Sequence, residues 1–368
     1  MRIALFTPFS PDIGGGSVQL RSHLAQLPEL DVRWYYLAPA QVPGERRHWL
    51  GKPVSPWQFA ADLAARCGFL GSTQAVKSIV DRLDADLYWV VGHYEGISVA
   101  SELQSRGKPV HLTVHDEPLA MVIRSRRYQP LWPLMAHTFA DVLRRARSVD
   151  VTSTAMRDYF NQKYGVNSFA LYKYLPELPL VTPRVCANCL TVGHIGSLYH
   201  PTPFQNFVLA CRSLAQAQNR ALKIVRIGSS PEMDQVAAQG LATFESHREL
   251  LEQDALPVLA TCDFVYAMYP SGVRFRGFRR TSLPIKLSTY VQAQRPIFAH
   301  SPGDSGLAKL VSRHRVGTVC SSQDHNEIQN AIKLMLETTI SPDHFEALRV
   351  DLMGPTQLQL LKQTLTTQ

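Results

Sequence analysis

The sequence has little cysteine, modest charge and no long apolar run. Six cysteines in 368 residues are too few for a disulfide framework, so they do not require an oxidising compartment. The longest apolar stretches are short, such as residues 87–91, whereas a helix needs about 18 apolar residues to cross a bilayer. The apolar N-terminus reaches Pro8 and Pro11 at once, without the longer apolar core of a signal peptide. We therefore expect a soluble, non-secreted, cytoplasmic protein.

Apolar residues, in contrast, make up 45% of the chain, which is enough to fill real cores and too much for a disordered protein. A length of 368 residues suggests two or three domains. The formal net charge is +8, and the two halves of the chain are equally basic. Such a charge is compatible with binding to nucleic acid, to an anionic membrane or to a phosphorylated ligand, and it does not distinguish between these partners.

One pair of cysteines has the spacing of metal ligands. Cys186 and Cys189 form a CxxC motif, and His194 and His200 follow it. A zinc site usually has a second well-spaced pair, which this sequence lacks. We therefore expect no metal and interpret the two cysteines as buried or loop thiols.

The first forty residues follow a strand–loop–helix–strand pattern. Residues 2–6 are typical of a buried strand, 8–16 of a glycine loop, 17–27 of a helix and 32–37 of a second strand. A strand that leads through glycines into a helix is typical of the opening βαβ unit of a parallel sheet. The alternation continues, with helices predicted at 72–83, 97–106 and 131–147 and strands at 86–91, 110–114 and 149–152.

A proline-containing stretch without helical period, residues 168–188, is the best candidate for a linker. After it the pattern predicts strands at 190–195, 222–227, 264–268, 296–299 and 316–319, with helices at 204–218, 251–260, 286–294, 305–312 and 327–337. We therefore predict an α/β fold with two Rossmann-like, doubly wound domains that face a central cleft. The predicted domains are 1–180 and 185–349, with a helix at about 350–368 packing back on the first. Ligands of open parallel sheets bind at the carboxyl ends of the strands.

Two loops of the first half carry candidate functional groups. Glycines at 14–16 would let backbone amides approach a ligand at a helix N-terminus, although Gln19 breaks the dinucleotide fingerprint. The alternative is a tight turn without a ligand. His115 and Asp116 follow the strand at 110–114, where they could orient a sugar hydroxyl or act as acid and base. Alternatively, His115 only caps local backbone. His93 and Glu95 are weaker candidates at the corresponding position after the strand at 86–91.

The segment from Arg279 to Tyr290 is the most informative part of the second half. Pro284 precedes a helix that begins near Lys286, and Arg280 lies just before it. A helix N-terminus flanked by cations suits a diphosphate, and Thr289 and Tyr290 could hold ribose hydroxyls one turn further on. The alternative, a solvated basic face, explains the arginines but not the Pro-x-Lys-Leu sequence.

Five segments together resemble one enzyme family. They are the opening strand with its glycine loop, Thr113-Val-His-Asp, Val192-Gly-His-Ile-Gly-Ser-Leu, Leu222-Lys-Ile-Val-Arg-Ile-Gly and Pro284-Ile-Lys-Leu-Ser-Thr-Tyr followed by Pro296. In this order they resemble the landmarks of the GT-B-fold glycosyltransferases, in particular glycosyltransferase family 4. The resemblance covers most of the chain. It rests on the order of the five segments, since no single segment is decisive.

The resemblance implies that the first domain binds an acceptor and the second binds a nucleoside-diphosphate-sugar donor, most simply a UDP- or GDP-linked one. It also implies that sugar transfer retains the anomeric configuration and requires no metal or cofactor. The acceptor would be a glycan, a lipid-linked glycan or a small hydroxyl compound. Cations and amides would stabilise the departing nucleoside diphosphate. It implies catalytic roles for His115 and Asp116, and donor contacts from Gly15, Gly16, Ser197, Arg226, Arg280, Lys286, Leu287, Thr289 and Tyr290.

The chain departs from the family at two glutamates. The family has one near the sugar and one on the ribose, and the corresponding positions here are Thr281 and Thr289. The usual Arg and Lys of the loop after residue 196 are also missing, so that Arg226, Arg274, Arg276 or Arg280 would have to supply the cation. These departures keep one alternative open, a catalytically silent GT-B-like partner in a glycan-biosynthesis complex. A further alternative is a related two-domain enzyme that acts on nucleotide sugars without transfer, such as an epimerase.

Two stretches mix cations with large rings. Residues 46–59 and 124–132 combine arginines and lysine with tryptophan, phenylalanine and tyrosine. Such mixtures suit the inner face of an anionic membrane or a phosphorylated lipid acceptor, and the alternative is an ordinary surface with its tryptophans turned inwards. The chain has no nucleic-acid module signature, so we expect no nucleic-acid partner.

Overall fold

The computed structural model describes residues 1–12, 14–67, 74–117, 130–176 and 186–367. The chain divides into two compact units. Unit 1 comprises Met1–Tyr174, Arg280–Ser282 and Leu352–Gln368, and unit 2 comprises Leu175–Arg279 and Leu283–Asp351. The predicted domain limits at 180 and 185 fall on residues outside the described ranges.

Unit 1 is built on a seven-stranded parallel sheet with the order β3-β2-β1-β4-β5-β6-β7. Its central strands are buried along their whole length, as Leu87–Val91 is, because crossover helices cover both faces of a parallel sheet. The strands are β1 (Arg2–Thr7), β2 (Asp31–Leu37), β3 (Arg47–Gly51), β4 (Leu87–Val91), β5 (Val110–Val114), β6 (Ser148–Val151) and β7 (Ser168–Ala170).

Within the described residues, six helices lie between these strands, and Phe59, Phe139 and Phe160 belong to the core that they share with the sheet. They are α1 (Gly15–Ala25), α2 (Pro56–Arg66), α3 (Gln74–Val80), α4 (Glu95–Ser105), α5 (Trp132–Arg145) and α6 (Thr154–Tyr164). The sequence pattern missed α2 and α6, although both begin at a serine cap: Ser55 and Ser153 each accept a backbone N–H of the first turn.

The predicted linker was wrong at its start. Residues 168–170 form the edge strand β7, which pairs with β6. The strand is only three residues long, so its alternation is too short to detect in the sequence. The edge strand β3 was missed as well, because Arg47–Gly51 carries two basic side chains and a tryptophan instead of an apolar run.

Unit 2 repeats the architecture with six parallel strands in the order β10-β9-β8-β11-β12-β13. The sequence pattern missed β10, since its Thr-Phe-Glu-Ser-His sequence is mostly polar and the strand lies at the sheet edge. The strands are β8 (Cys189–Ile195), β9 (Ala221–Ile227), β10 (Thr243–His247), β11 (Phe264–Met268), β12 (Ile297–His300) and β13 (Gly317–Cys320).

The remaining helices are α7 (Pro201–Ala217), α8 (Pro231–Ala237), α9 (Glu252–Ala260), α10 (Arg276–Thr281), α11 (Lys286–Ala293), α12 (Gly306–His314), α13 (His325–Glu337), α14 (Pro342–Met353) and α15 (Pro355–Thr366). Helix α15 belongs to unit 1. Both units are therefore Rossmann-like α/β units with parallel sheets, as the sequence predicts. None of the described helices combines the length and the apolar character that a membrane crossing requires.

Candidate functional site

Lys286 is the first residue of α11 and lies beside the loop that follows β8. Its Nζ is 3.2 Å from Nε2 of His194 and donates to the backbone carbonyl of Ser197 at 3.3 Å. A Cβ added to Gly196 would lie 4.0 Å from the same Nζ. The ammonium therefore lies against the backbone at the carboxyl end of β8, which is where open parallel sheets bind ligands.

The proton of His194 can be assigned from its neighbours. The ring is fully buried, and its Nδ1 lies 3.0 Å from the carbonyl of Tyr266, which can only accept. Nδ1 therefore donates, and Nε2 accepts from Lys286. Burial and the charge of Lys286 hold the pKa of His194 well below its usual value, so this imidazole is neutral at pH 7.

Burial lowers the pKa of Lys286 to about 7. Both Nζ partners found among the described residues, the His194 ring and the Ser197 carbonyl, are uncharged. A desolvated ammonium without a carboxylate is poorly stabilised, and an anionic ligand would supply the missing charge. Sequence reasoning did not connect His194 with Lys286, because only the fold brings these distant positions together.

Two amides near the start of α11, where the sequence predicts an anion site, already have backbone partners. The Leu287 N–H donates to the carbonyl of Pro284 at 2.9 Å, and the Ser288 N–H donates to that of Ile285 at 3.2 Å. Ile285 already has helical backbone angles, so a tight turn precedes the helix and uses these donors. The side chain of Lys286 stays the predicted contact for an anion at this position, whereas Leu287 is buried.

The hydroxyls of Thr289 and Tyr290, both predicted to contact a ribose, differ in their hydrogen-bond partners. Tyr290 is fully buried, and its hydroxyl donates to the carbonyl of Tyr266 at 2.9 Å while accepting from the Ile195 N–H at 3.1 Å. This placement argues against the predicted ribose contact of Tyr290, whose role is to hold α11 on the sheet. The Thr289 hydroxyl donates to Oε1 of Glu252 at 3.1 Å.

The arginines predicted as replacement cations are placed differently. Arg226 donates to the hydroxyl of Ser246 at 2.7 Å and forms an ion pair with Asp234. Its charge is therefore already balanced, which argues against a donor contact. Arg280 is exposed and belongs to unit 1, and its contact with a diphosphate stays a prediction. Arg276 lies 3.7 Å from Asp304.

Unit 1 contains a second group of candidate residues, around the glycine loop. Gly14 caps α1 with a φ of 92°, a conformation that favours glycine. The first amides of a helix have no intrahelical partner, so Gly15 and Gly16 present donors beyond the end of β1. Ser17 fixes the turn by donating to the carbonyl of Ser10 at 2.6 Å.

His115 lies against this loop with both ring nitrogens unpartnered. The residue is 8% exposed, and neither Nδ1 nor Nε2 has a hydrogen-bond partner. Burial and the neighbouring His93 keep its pKa well below the usual value, so the ring is neutral. Buried polar atoms without partners are rare and costly, and both ring nitrogens of His115 are available to a ligand. The alternative role, capping local backbone, is not supported, since neither nitrogen makes such a bond.

The groups next to His115 are held by specific contacts. The Asp116 N–H donates to Nε2 of His93 at 3.3 Å, and the Asp116 carboxylate accepts from the hydroxyl of Ser282 at 2.6 Å. Burial lowers the pKa of His93 to about 4 and raises that of Glu95 to about 7. The geometry thus brings His93 and Glu95, the weaker candidates, to the same end of the sheet as His115.

The turn that carries these groups is strained. Tyr94 has φ 40° and ψ −119°, a region that non-glycine residues rarely adopt. A Cβ on Gly96 would lie 1.9 Å from the carbonyl oxygen of Val91, so the turn requires glycine there. Backbone strain of this kind clusters at functional sites, which agrees with the placement of His93 and Glu95.

We expect Gly16→Ala to displace His115. The added Cβ would lie 2.6 Å from Nδ1 and 2.8 Å from Cε1 of that ring, and 3.1 Å from Cζ of Phe9. Such overpacking costs about 1–3 kcal/mol, measurable as a lower midpoint in urea unfolding. Gly303→Ala is the control, because nothing lies within 4 Å of its Cβ. Equal stability of the two variants would contradict the packing of His115 on Gly16.

The CxxC motif forms no metal centre in the described part of the chain. Cys186 is exposed, both nitrogens of His194 are engaged as above, and no described group of three His, Cys, Asp or Glu side chains could hold a metal ion. The basic residues Arg124, Arg126 and Arg127 lie outside the described residues.

Two parallel-sheet units of this kind define the GT-B fold, and solved structures confirm it. Trehalose-6-phosphate synthase OtsA has a TM-score of 0.65 at 11% identity over 100% of both chains. Sucrose-phosphate synthase from Thermosynechococcus elongatus has 0.63 at 13%, covering 98% of this chain and 94% of that one. An α-glucosyltransferase in complex with UDP has 0.55 at 12% over 100% of both. No protein-family model and no curated protein matches the sequence.

Proposed function

We propose that the protein is a glycosyltransferase that moves a sugar from a nucleoside-diphosphate-sugar donor to an acceptor hydroxyl. The observation that carries this proposal is the ammonium of Lys286, which has two uncharged partners at the carboxyl end of β8. A diphosphate is the ligand that would balance this charge, and a cation placed there would stabilise a departing nucleoside diphosphate. His194 holds the ammonium in position.

The finer assignments extend this proposal. UDP is the first nucleotide to test, because one protein of similar fold is described in complex with UDP, and GDP is the second. Gly15, Gly16, Ser197 and Arg280 would contact the donor, and His115 with Asp116 would act at the sugar or the acceptor. The reaction would retain configuration and need no metal. The acceptor would be a glycan, a lipid-linked glycan or a small hydroxyl compound.

A cytoplasmic location with peripheral membrane contact is part of the same proposal. Trp57 is 85% exposed, and Lys52 is exposed on the chain just before α2. An exposed tryptophan beside a cation suits an anionic membrane surface. Co-sedimentation with vesicles that contain anionic lipid, compared between the protein and Trp57→Ala, tests this contact separately from nucleotide binding.

Thermal unfolding with UDP, GDP, ADP or TDP, each with and without Mg²⁺, tests the function. A nucleotide at about 100 times its dissociation constant stabilises the folded state by about 2.7 kcal/mol. We expect one nucleotide to stabilise the protein, and its sugar conjugate to release that nucleotide when an acceptor is present. Release without any acceptor, together with a changed sugar, would favour the epimerase. No stabilisation by any of the four would overturn the proposal.

We expect donor affinity to fall as the pH rises above about 7. A bound diphosphate favours the ammonium, and Lys286 has a pKa of about 7 without ligand, so binding above this pH requires uptake of a proton. Below about pH 7 the ammonium is already present and affinity stays level. Calorimetric titration with a UDP-sugar between about pH 6 and pH 9 measures this, with Lys286→Arg as the variant whose charge does not titrate. A level wild-type profile would contradict the assignment.

A catalytically silent binding partner is the second candidate. The observation in its favour is the chemistry of Thr281 and Thr289, since neutral hydroxyls cannot balance the charge of an oxocarbenium-like transition state. Thr281 is also buried, with its carbonyl bonded to the Ser153 hydroxyl. A purified protein that binds the nucleotide but transfers no sugar to any acceptor would favour this candidate.

A further inference from the structure

We propose that Cys186 and Cys189 are a redox-active dithiol, which closes reversibly to an internal disulfide by exchange with a small disulfide such as oxidised glutathione. This inference goes beyond the proposed glycosyl transfer and does not depend on it. The pair lies at the amino end of β8, which begins at Cys189, whereas Lys286 lies beside the loop at the carboxyl end of this strand.

The backbone already brings the two cysteines close together. The Cys189 N–H donates to the Cys186 carbonyl at 3.3 Å, which is the hydrogen bond of a β-turn with the cysteines as its first and fourth residues. The Cα atoms at these two positions of a β-turn are less than about 7 Å apart. A disulfide joins residues whose Cα atoms are about 4.4–6.8 Å apart, so the turn has the span that the bond needs.

An arginine holds the turn on the sheet. Nη2 of Arg220 donates to the carbonyl of Cys189 at 2.6 Å and lies 3.3 Å from that of Cys186. The same nitrogen pairs with Asp263 at 3.0 Å, and the Asp263 carboxylate accepts from the Thr191 N–H of β8 at 2.7 Å. Because the turn is fixed before the sulfurs join, closing the disulfide orders little additional backbone.

The pair is accessible and lies near a cation. Cys186 is exposed and Cys189 is partly exposed, so a small disulfide can reach them. Lys223 of β9 lies on the same sheet face as Cys189, two residues beyond the register partner of that cysteine. The pKa of Lys223 is raised, chiefly by its hydrogen bond to Glu245 and to a smaller extent by Cys189. Cations beside thiols favour the thiolate that performs the exchange.

The other four cysteines are in different surroundings. Cys211, Cys262 and Cys320 are buried, and burial raises the pKa of each thiol. Thiols of this kind are poor nucleophiles, since the thiolate is the attacking species. Cys67 lies in unit 1, whereas the proposed pair lies in unit 2. Exchange should therefore be confined to Cys186 and Cys189.

The reaction balances in two steps. The thiolate of Cys186 attacks one sulfur of oxidised glutathione, the sulfur–sulfur bond of the oxidant breaks, and one glutathione leaves. The thiolate of Cys189 then attacks the Cys186 sulfur of this mixed disulfide, and the second glutathione leaves. The cysteine pair loses two electrons and two protons, which the oxidant takes up as it becomes two thiols. Reduced glutathione drives the reverse exchange and reopens the turn.

The test equilibrates the full chain with mixtures of oxidised and reduced glutathione, blocks free thiols by alkylation after denaturation and measures the intact mass. We expect oxidised wild-type protein to lose two hydrogens, with peptide mapping joining Cys186 to Cys189. Cys189→Ser should stop at a mixed disulfide of Cys186 with glutathione, and Cys186→Ser should form no internal disulfide. Cys67→Ser is the matched control, because it removes a partly exposed thiol outside the pair, and it should oxidise like the wild type.

Wild-type protein that stays fully reduced in excess oxidised glutathione, or that gains only glutathione adducts, would overturn the proposal. An internal disulfide that persists in Cys186→Ser would overturn it as well, since that bond would join other cysteines. Circular dichroism of each variant establishes that it is folded when it is oxidised. The readouts are masses and peptide maps, so the result does not depend on whether the protein transfers sugar.

Discussion

Lys286→Ala should lower the affinity for the nucleoside diphosphate at least tenfold and abolish sugar transfer. The ammonium is the cation that the structure places beside the Gly196–Ser197 loop, and its loss removes a charge-assisted contact of about 1.4 kcal/mol or more. The fold should persist, because a partly desolvated ammonium with uncharged partners contributes little to stability. Calorimetric titration with the nucleotide and circular dichroism measure both expectations.

Lys309→Ala is the matched control for this experiment. Lys309 is exposed on α12 of the same unit, so its loss changes the net charge equally without touching the site. Full affinity in Lys286→Ala would remove the diphosphate assignment. An equal loss in both variants would indicate that the effect comes from overall charge.

His115→Phe should reduce kcat/KM at least 100-fold, or about 2.7 kcal/mol, while leaving the unfolding temperature unchanged or higher. The loss is expected because a positioned imidazole contributes about 10²–10⁴-fold in acid–base catalysis. Stability should not fall, because the substitution removes two buried nitrogens that have no hydrogen-bond partner. Nucleotide release from the donor and differential scanning calorimetry provide the two readouts.

His23→Phe supplies the contrast. His23 is also buried in unit 1, but its Nε2 lies 2.7 Å from the carbonyl of Tyr172. Losing this hydrogen bond should lower the unfolding temperature and leave the turnover of the folded fraction unchanged. If His115→Phe behaves in the same way, His115 is a structural residue, and the acid–base role is withdrawn.

Local sequence patterns were sufficient for the fold and for placing Lys286 at the start of a helix. Strands such as Leu87–Val91 and Phe264–Met268 are continuous apolar runs, because both faces of a parallel strand are buried. The turn before Lys286 could be predicted from Pro284, which cannot continue a preceding helix. Short or polar edge strands were missed, since three to five residues at an edge carry too little periodicity.

Only the tertiary structure decided which candidate groups are available to a ligand. From the sequence, Lys286, Thr289 and Tyr290 are all predicted to contact the donor. In the structure, the Tyr290 hydroxyl donates to a backbone carbonyl, whereas Thr289 donates to Glu252 and Lys286 to His194. Likewise, nothing in the sequence distinguishes His115, whose nitrogens lack partners, from the bonded His23. The physical reason is that hydrogen-bond satisfaction and desolvation depend on groups far apart in the chain, whereas periodicity and turn chemistry depend on neighbours.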